Sequence, residues 1–303
     1  RDELFEKADL ILAVQTPAEA ELKKMKKGAT LVSFLWALQH KELVEFLKDA
    51  GISALGMDAI PRISRAQNMD ALSSMSSIAG YKASLIAANN LDKYFPMMMT
   101  AAGTIPPSKA LILGAGVAGL QAIATCRKLG AVVEAYDVRP VVKEQVESLG
   151  AKFVEVPLDD TDTETKGGYA KETSEDFKKK QEELLSETLK KIDIVICTAL
   201  IPGKKAPVII KDDMINNMQS GSIIYDLAAI QGGNTAFTEV DKIVEKNGVK
   251  IMGESNILNN LPMSASNLYA KNVFNFVDNL LDKENKKINI KLEDEIIEKT
   301  LIK

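Results

Sequence analysis

Gly114-Ala115-Gly116-Val117-Ala118-Gly119 matches the pattern G-x-G-x-x-G, and the chemistry of that pattern is the holding of a diphosphate. The first glycine permits a tight turn, the second lets a phosphate approach bare backbone, and the third lets a helix pack closely on a strand. The pattern follows the apolar run Ala110 to Leu113 and opens a candidate helix, Val117 to Leu129. Phosphates would therefore meet a helix N-terminus, where unpaired N–H groups and the dipole favour anions. Asp137 lies 23 positions after Gly114, at the end of the next apolar run, where a carboxylate can accept from the adenine-ribose hydroxyls. This placement selects NAD over NADP, although Arg139 stands two residues on and could meet a 2′-phosphate. The alternative is that Asp137 only ends a strand. The combined pattern reads as an NAD(H) site.

A second polar group lies in Pro61-Arg62-Ile63-Ser64-Arg65-Ala66-Gln67-Asn68-Met69-Asp70-Ala71-Leu72-Ser73-Ser74. On chemistry alone this is an ordinary surface loop. Its place ahead of a linker between two domains gives the other reading, a ligand-facing loop whose neutral amide could pair with a nicotinamide carboxamide. The sequence has no Ser/His/Asp set and no metal-spaced cluster, so no metal is expected. Its only histidine, His40, reads as a solvated residue starting a helix. A dehydrogenase for alcohols, hydroxy acids or amino acids needs a proton acceptor beside the hydride path, and no evident one is present.

The elements that would position these residues alternate strand and helix. Asp9 to Gln15, Ala29 to Phe34 and Ile52 to Met57 read as strands, Lys41 to Asp49 as a helix, and Ala71 to Asn90 as a long helix joining two domains. A second series follows Ile105-Pro106-Pro107-Ser108: Ala110 to Leu113, Val132 to Tyr136, Lys152 to Val156, Asp193 to Thr198, Ser222 to Leu227 and Val249 to Met252. The expected fold is α/β, two Rossmann-like domains with parallel sheets, the first truncated at its N-terminus. Its expected parts are a partial first domain (1–72), a linker helix (73–98), the NAD(H)-binding Rossmann domain (99–260), and a C-terminal helix and tail (261–303) packing back toward the first domain. The polar stretch Asp159 to Glu183 reads as a solvated loop entering a charged helix, or as a mobile flap over a ligand.

Composition narrows the class. The chain has 303 residues, Lys+Arg 38 against Asp+Glu 42 and a net charge of -4. Neither sign gathers into a block, which removes the electrostatic case for nucleic acid. Cys126 and Cys197 form no C-x-x-C pair, which suits a reducing compartment. No stretch approaches about 18 uninterrupted apolar residues, so no membrane span is expected.

The sequence from Pro61 to Gln67 resembles the signature loop in the NAD(H)-binding domain (domain I, alpha subunit) of proton-translocating NAD(P) transhydrogenases. The likeness continues through Ala71 to Met75, Ala101-Ala102-Gly103, Gly114 to Leu120, Gly167 to Glu172, Thr198 to Gly203, Gly232-Gly233-Asn234 and Lys291 to Glu295. The resemblance implies direct hydride transfer between NAD(H) on this domain and NADP(H) on a partner domain, coupled to proton movement in a membrane domain. It further implies a homodimer, on the cytoplasmic face of a bacterial membrane or the matrix face of a mitochondrial one. It assigns nicotinamide positioning to Arg62, Gln67, Asp70 and Ser73. It assigns the NAD site to Gly114, Gly116, Val117, Gly119, Asp137, Val138, Arg139, Gly168, Ala199 and Leu200, with Tyr169 on a closing loop. Thr173 and Ile230-Gln231 depart from the family's pattern. The nearest alternative is alanine dehydrogenase, which needs a histidine where this chain has Trp36.

Overall fold

The computed structural model describes residues 1–155, 175–201 and 203–302. It divides into two units, Arg1–Met75 with Pro262–Lys303, and Ser76–Leu261. The first begins with α1 (Asp2–Lys7), β1 (Leu10–Gln15), α2 (Glu19–Leu22), β2 (Thr30–Phe34), α3 (Lys41–Asp49) and β3 (Ser53–Gly56). The strands form a parallel sheet in the order β1-β2-β3. Central β2 is buried along its whole length, and edge β1 exposes Leu12 and Val14. A strand covered on both faces reads as a continuous apolar run, as Leu31 to Leu35 nearly does.

Helix α4 (Ala71–Asn90) starts in the first unit and continues in the second. Apart from Ile78, its buried positions in the second unit are small, Gly80, Ala83, Ser84 and Ala87, which lets backbones approach. A Cβ on Gly80 would lie 2.0 Å from the Ala118 carbonyl oxygen. This contact buttresses the helix that follows the glycine turn.

The second unit carries a small hairpin, β4 (Met98–Thr100) with β5 (Gly103–Ile105). Then follow β6 (Lys109–Leu113), α5 (Val117–Lys128), β7 (Val132–Tyr136), α6 (Lys143–Ser148), β8 (Lys152–Phe153), α7 (Glu175–Leu189), β9 (Ile194–Cys197), α8 (Asp212–Asn216), β10 (Ile223–Asp226), β11 (Lys242–Lys246) and β12 (Val249–Gly253). Among the described residues its sheet has seven strands in the order β11-β12-β10-β9-β6-β7-β8. The chain winds outward from β6 to β8, then returns beside β6 with β9, the doubly wound plan expected from the sequence.

Side chains alternate cleanly across this sheet. Ile112, Ile194, Ile196 and Tyr225 join one buried cluster, while Leu111, Leu113, Val195, Cys197 and Ile224 join the other. Each fully buried aliphatic side chain contributes roughly 1.5–3 kcal/mol, so the sheet centre is the rigid platform of the unit. Two departures from expectation concern the edges. Strand β11 pairs antiparallel with β12, so the sheet is not wholly parallel, and β8 ends at Phe153. The stretch 156–174, with most of the expected flap, lies outside the described residues.

The chain then returns to the first unit through α9 (Pro262–Leu280), the short hairpin β13 (Leu281–Asp282) with β14 (Lys287–Ile288), and α10 (Glu295–Thr300). Tyr269, Val273, Phe276 and Leu280 of α9 pack with Val32, Phe34, Ala66 and Met69. Among the described residues no helix is long and apolar enough to cross a membrane.

Candidate functional site

In the second unit the sheet order reverses between β6 and β9, and ligands in such sheets settle at that switch, beyond the strands' C-terminal ends. The glycine turn follows β6 and Thr198-Ala199 follows β9. Gly114 has φ 94°, a backbone region that disfavours side chains. A Cβ on Gly119 would lie 1.8 Å from the Gly114 carbonyl oxygen, so helix and turn meet without intervening atoms. The Thr198 hydroxyl lies 3.0 and 2.9 Å from the carbonyl oxygens of Leu113 and Gly114, and the Thr198 N–H donates to Leu113 at 2.8 Å. The end of β9 thereby fixes the turn.

Gly116 is the N-cap of α5, with no side-chain cap, and a Cβ there would meet nothing within 4 Å. A twelve-residue helix thus begins with open space over bare backbone. A diphosphate fits this cradle, which offers N–H donors and the positive end of the dipole.

Asp137 is placed differently from the simple ribose acceptor expected of it. Its Oδ2 accepts from the Ala115 N–H and from Arg139 Nη2, each at 2.7 Å. Its Oδ1 accepts from the Arg139 backbone N–H and Nε, each at 2.9 Å. The side chains of Asp137 and Arg139 are 6% and 16% exposed. The carboxylate braces the glycine turn, and a ribose hydroxyl reaches it only by replacing one of these donors. Next to it, Val138 is half-buried. Val117 and Leu200 expose apolar surface at the ends of the same two elements. Gly168 and Tyr169 lie outside the described residues.

Two further residues bear on the site: Asn234, named from sequence only within the family likeness, and Asp226, not singled out there. Asn234 accepts from the Ala199 N–H at 3.1 Å and donates from Nδ2 to the carbonyls of Ala199 and Pro207, at 2.8 and 2.9 Å. Asp226, at the end of β10, is fully buried and accepts from the N–H groups of Ala228 and Asn234 and from the Thr238 hydroxyl, at 2.8, 2.6 and 2.6 Å. Burial pushes its carboxyl above the ordinary range, and these donors pull it back. The chain Asp226–Asn234–Ala199 therefore holds the strand end beside the turn. Asn234→Ala leaves three backbone groups without partners, at about 1–3 kcal/mol. The expected result is a melting temperature lower by roughly 5 °C, read by calorimetry.

In the first unit Ser64–Met69 forms a 3-10 turn with Ala66 and Met69 buried beneath it. Arg62 and Gln67 are exposed. The Gln67 amide has no hydrogen-bond partner among the described residues. Asp70 and Ser73 are brought together: the Ser73 N–H and hydroxyl donate to the Asp70 carboxylate at 2.9 and 2.5 Å. This is the geometry of a helix N-cap, so both residues also start α4. Trp36, after β2, has φ 49° and stacks on Phe34 at 5.7 Å with 16° between the planes. The N–H groups of Leu35 and Trp36 donate to Asp58 at 2.7 and 3.2 Å. His40 is exposed. Among the described residues no cluster of metal-ligating side chains occurs.

With this geometry in view, comparison with known proteins is specific. The N-terminal and C-terminal domain models of the alanine dehydrogenase/PNT family match residues 1–79 and 83–303. An NAD(P) transhydrogenase subunit alpha protein of Rhodospirillum rubrum is 50% identical over 301 residues, covering 97% of this chain and 78% of its own length. The crystal structure of transhydrogenase from Sinorhizobium meliloti superposes with a TM-score of 0.88 at 41% identity, covering 99% of this chain and 81% of that one. Alanine dehydrogenase 1 of Staphylococcus aureus is more distant, 28% identical over 290 residues, covering 91% and 71%. The chain therefore belongs to the alanine dehydrogenase/PNT family, on the side of the NAD(P) transhydrogenase alpha subunits.

Proposed function

We propose that this chain binds NAD(H) at the turn between β6 and α5 and is the NAD(H)-binding component of a proton-translocating transhydrogenase. In that enzyme hydride passes directly between NAD(H) here and NADP(H) on a separate domain, coupled to proton movement through a membrane domain. The observation that carries the reading is the cradle at Gly116, open above an uncapped helix and braced from beneath by Thr198 and Asp137. Membership beside the transhydrogenase alpha subunits supports the choice of reaction. So does Trp36, which stands where an alanine dehydrogenase needs its histidine.

The bound nucleotide supplies the reacting carbon of its nicotinamide, and the chain's residues hold and aim it. Gly114, Gly116 and Gly119 admit the diphosphate to the α5 N-terminus. Asp137, with Val138 and Arg139, receives the adenosine end, and Val117, Ala199 and Leu200 flank it. Gly168 and Tyr169 are proposed to close over the site. Arg62, Gln67, Asp70 and Ser73 are proposed to orient the nicotinamide, Gln67 by pairing its unengaged amide with the carboxamide. Transfer between two nicotinamides needs no proton acceptor. Orientation is therefore what the protein supplies, and well-oriented reactants gain several kcal/mol. We further propose the Re/Si-specific reaction type, a homodimer, a place on the cytoplasmic or matrix face of the membrane, and no turnover without the NADP(H)-binding domain.

The test is reconstitution. NADH titration should show binding to the chain alone, and transfer to an NADP analogue should appear only when an NADP(H)-binding domain is added. Robust reduction of NAD with L-alanine by this chain alone would overturn the assignment. Asp137→Ser adds a test of nucleotide choice: NADH binding is expected to weaken about tenfold while NADPH binding strengthens, because the carboxylate that repels a 2′-phosphate is gone. Equal weakening of both nucleotides in parallel titrations would reduce Asp137 to a brace of the turn.

A further inference from the structure

The turn that carries Gln67 is gripped from three sides by the C-terminal segment of its own unit. Asn272 and Asn275 of α9 both donate from Nδ2 to the Asn68 carbonyl, at 2.9 and 3.1 Å. Arg65 forms a two-pronged ion pair with Asp294, Nη1 to Oδ2 at 2.9 Å and Nη2 to Oδ1 at 2.6 Å. Asp294 is itself fixed, since Oδ1 accepts from the Ile296 N–H at 2.9 Å as the cap of α10 and Oδ2 accepts from Asn279 at 3.2 Å. Arg65 draws the Asp294 carboxyl far below the usual range, so the pair stays charged at any working pH. Gln67 thus lies between two anchored residues, Arg65 and Asn68, above the buried side chains of Ala66 and Met69.

The arrangement is expensive for folding alone. Asn272 is 6% exposed, and its Oδ1 has no partner among the described residues. A buried polar atom left without a hydrogen bond costs stability. Tyr269, Val273 and Phe276 around it on the same helix are packed in an apolar cluster, which a leucine at 272 would suit better. What the asparagine adds is a directed N–H at the carbonyl next to Gln67.

We infer that Asn272, Asn275 and Asp294 are positioning residues that set the aim of Gln67, so that the C-terminal helix and tail govern the rate of hydride transfer. This rests on the proposed role of Gln67. A carbonyl gripped by two amides has little freedom to tilt, and the preceding side chain inherits that restraint. Displacement of reacting groups by about an ångström can cost roughly 100-fold in rate.

The experiment uses the full chain reconstituted with an NADP(H)-binding domain. Single-turnover transfer, NADH affinity and melting temperature are measured for Gln67→Asn, Asn272→Leu, Asn275→Ala and Asp294→Asn. Asn272→Leu is expected to keep or raise the melting temperature, hold NADH affinity within about twofold, and slow transfer about tenfold. Asn275→Ala, at a half-buried position whose loss leaves the core intact, is expected to slow transfer in the same way. Asn275→Gln is expected to restore part of the rate. If Gln67→Asn slows transfer while the 272 and 275 variants match wild type, the inference fails and the reading of Gln67 stands. If Gln67→Asn transfers normally, that reading fails and takes this one with it. Transfer losses that only parallel losses of NADH affinity would also overturn the positioning role.

Discussion

Gly119→Ala is expected to lower NADH affinity by roughly 100-fold and to reduce the melting temperature, whereas Gly116→Ala is expected to lower affinity alone. The two glycines differ in what a methyl group would meet. At Gly119 it would lie 1.8 Å from the Gly114 carbonyl oxygen and 3.2 Å from the Thr198 hydroxyl. Neither neighbour can give way without moving β6 or β9, and forced overpacking costs about 1–3 kcal/mol or more. That cost falls on the folded chain and on the shape of the turn together. At Gly116 a methyl meets nothing within 4 Å, and φ is −77°, accessible to alanine. The unliganded protein should fold as before, and the methyl should stand where the diphosphate comes closest. Isothermal titration with NADH beside calorimetric melting separates the effects. A Gly116→Ala protein that binds NADH like wild type would place the nucleotide elsewhere.

The second large effect is at Gln67. Gln67→Asn keeps the amide but withdraws it by one methylene, and is expected to slow transfer to an NADP analogue by about 100-fold. NADH affinity should change by less than about threefold, since the residues proposed to hold the diphosphate and adenosine belong to the other unit. A group that acts only on orientation lowers the transfer rate without weakening ground-state binding. Equal losses in rate and in affinity, measured by stopped flow and titration, would make Gln67 a binding contact only.

What could be read from the sequence, and what could not, follows from the range of the interactions. The glycine turn was legible because close approach of α5 to β6 demands glycine at fixed offsets, and Gly114 and Gly119 are held to that demand by backbone atoms. Strands β6, β7, β9 and β10 were legible as apolar runs because the sheet is covered on both faces. The antiparallel strand β11 was passed over because Lys242 to Lys246 is an edge segment, mostly charged. Its turn was nonetheless written in Asn247-Gly248, at φ 50° and 75°, the residue pair that a two-residue hairpin favours. Asp70 reads from sequence as part of a surface loop or as a nicotinamide-positioning candidate, and its spacing to Ser73 also spells a helix cap. The grip of Asn272 and Asn275 on Asn68 spans more than 200 positions, and no local pattern announces it. The bracing of the turn by Asp137 was hidden for another reason: which donors occupy a carboxylate is decided by the fold.

Trp36 is the chain's single tryptophan, and it belongs to the first unit, stacked on Phe34. Indole emission during a denaturant titration therefore monitors that unit alone, while far-ultraviolet ellipticity monitors both. NADH would protect the second unit by mass action. If the emission midpoint nevertheless moves when NADH is added, the two bodies melt as one cooperative block. If only the ellipticity curve moves, each carries its own transition.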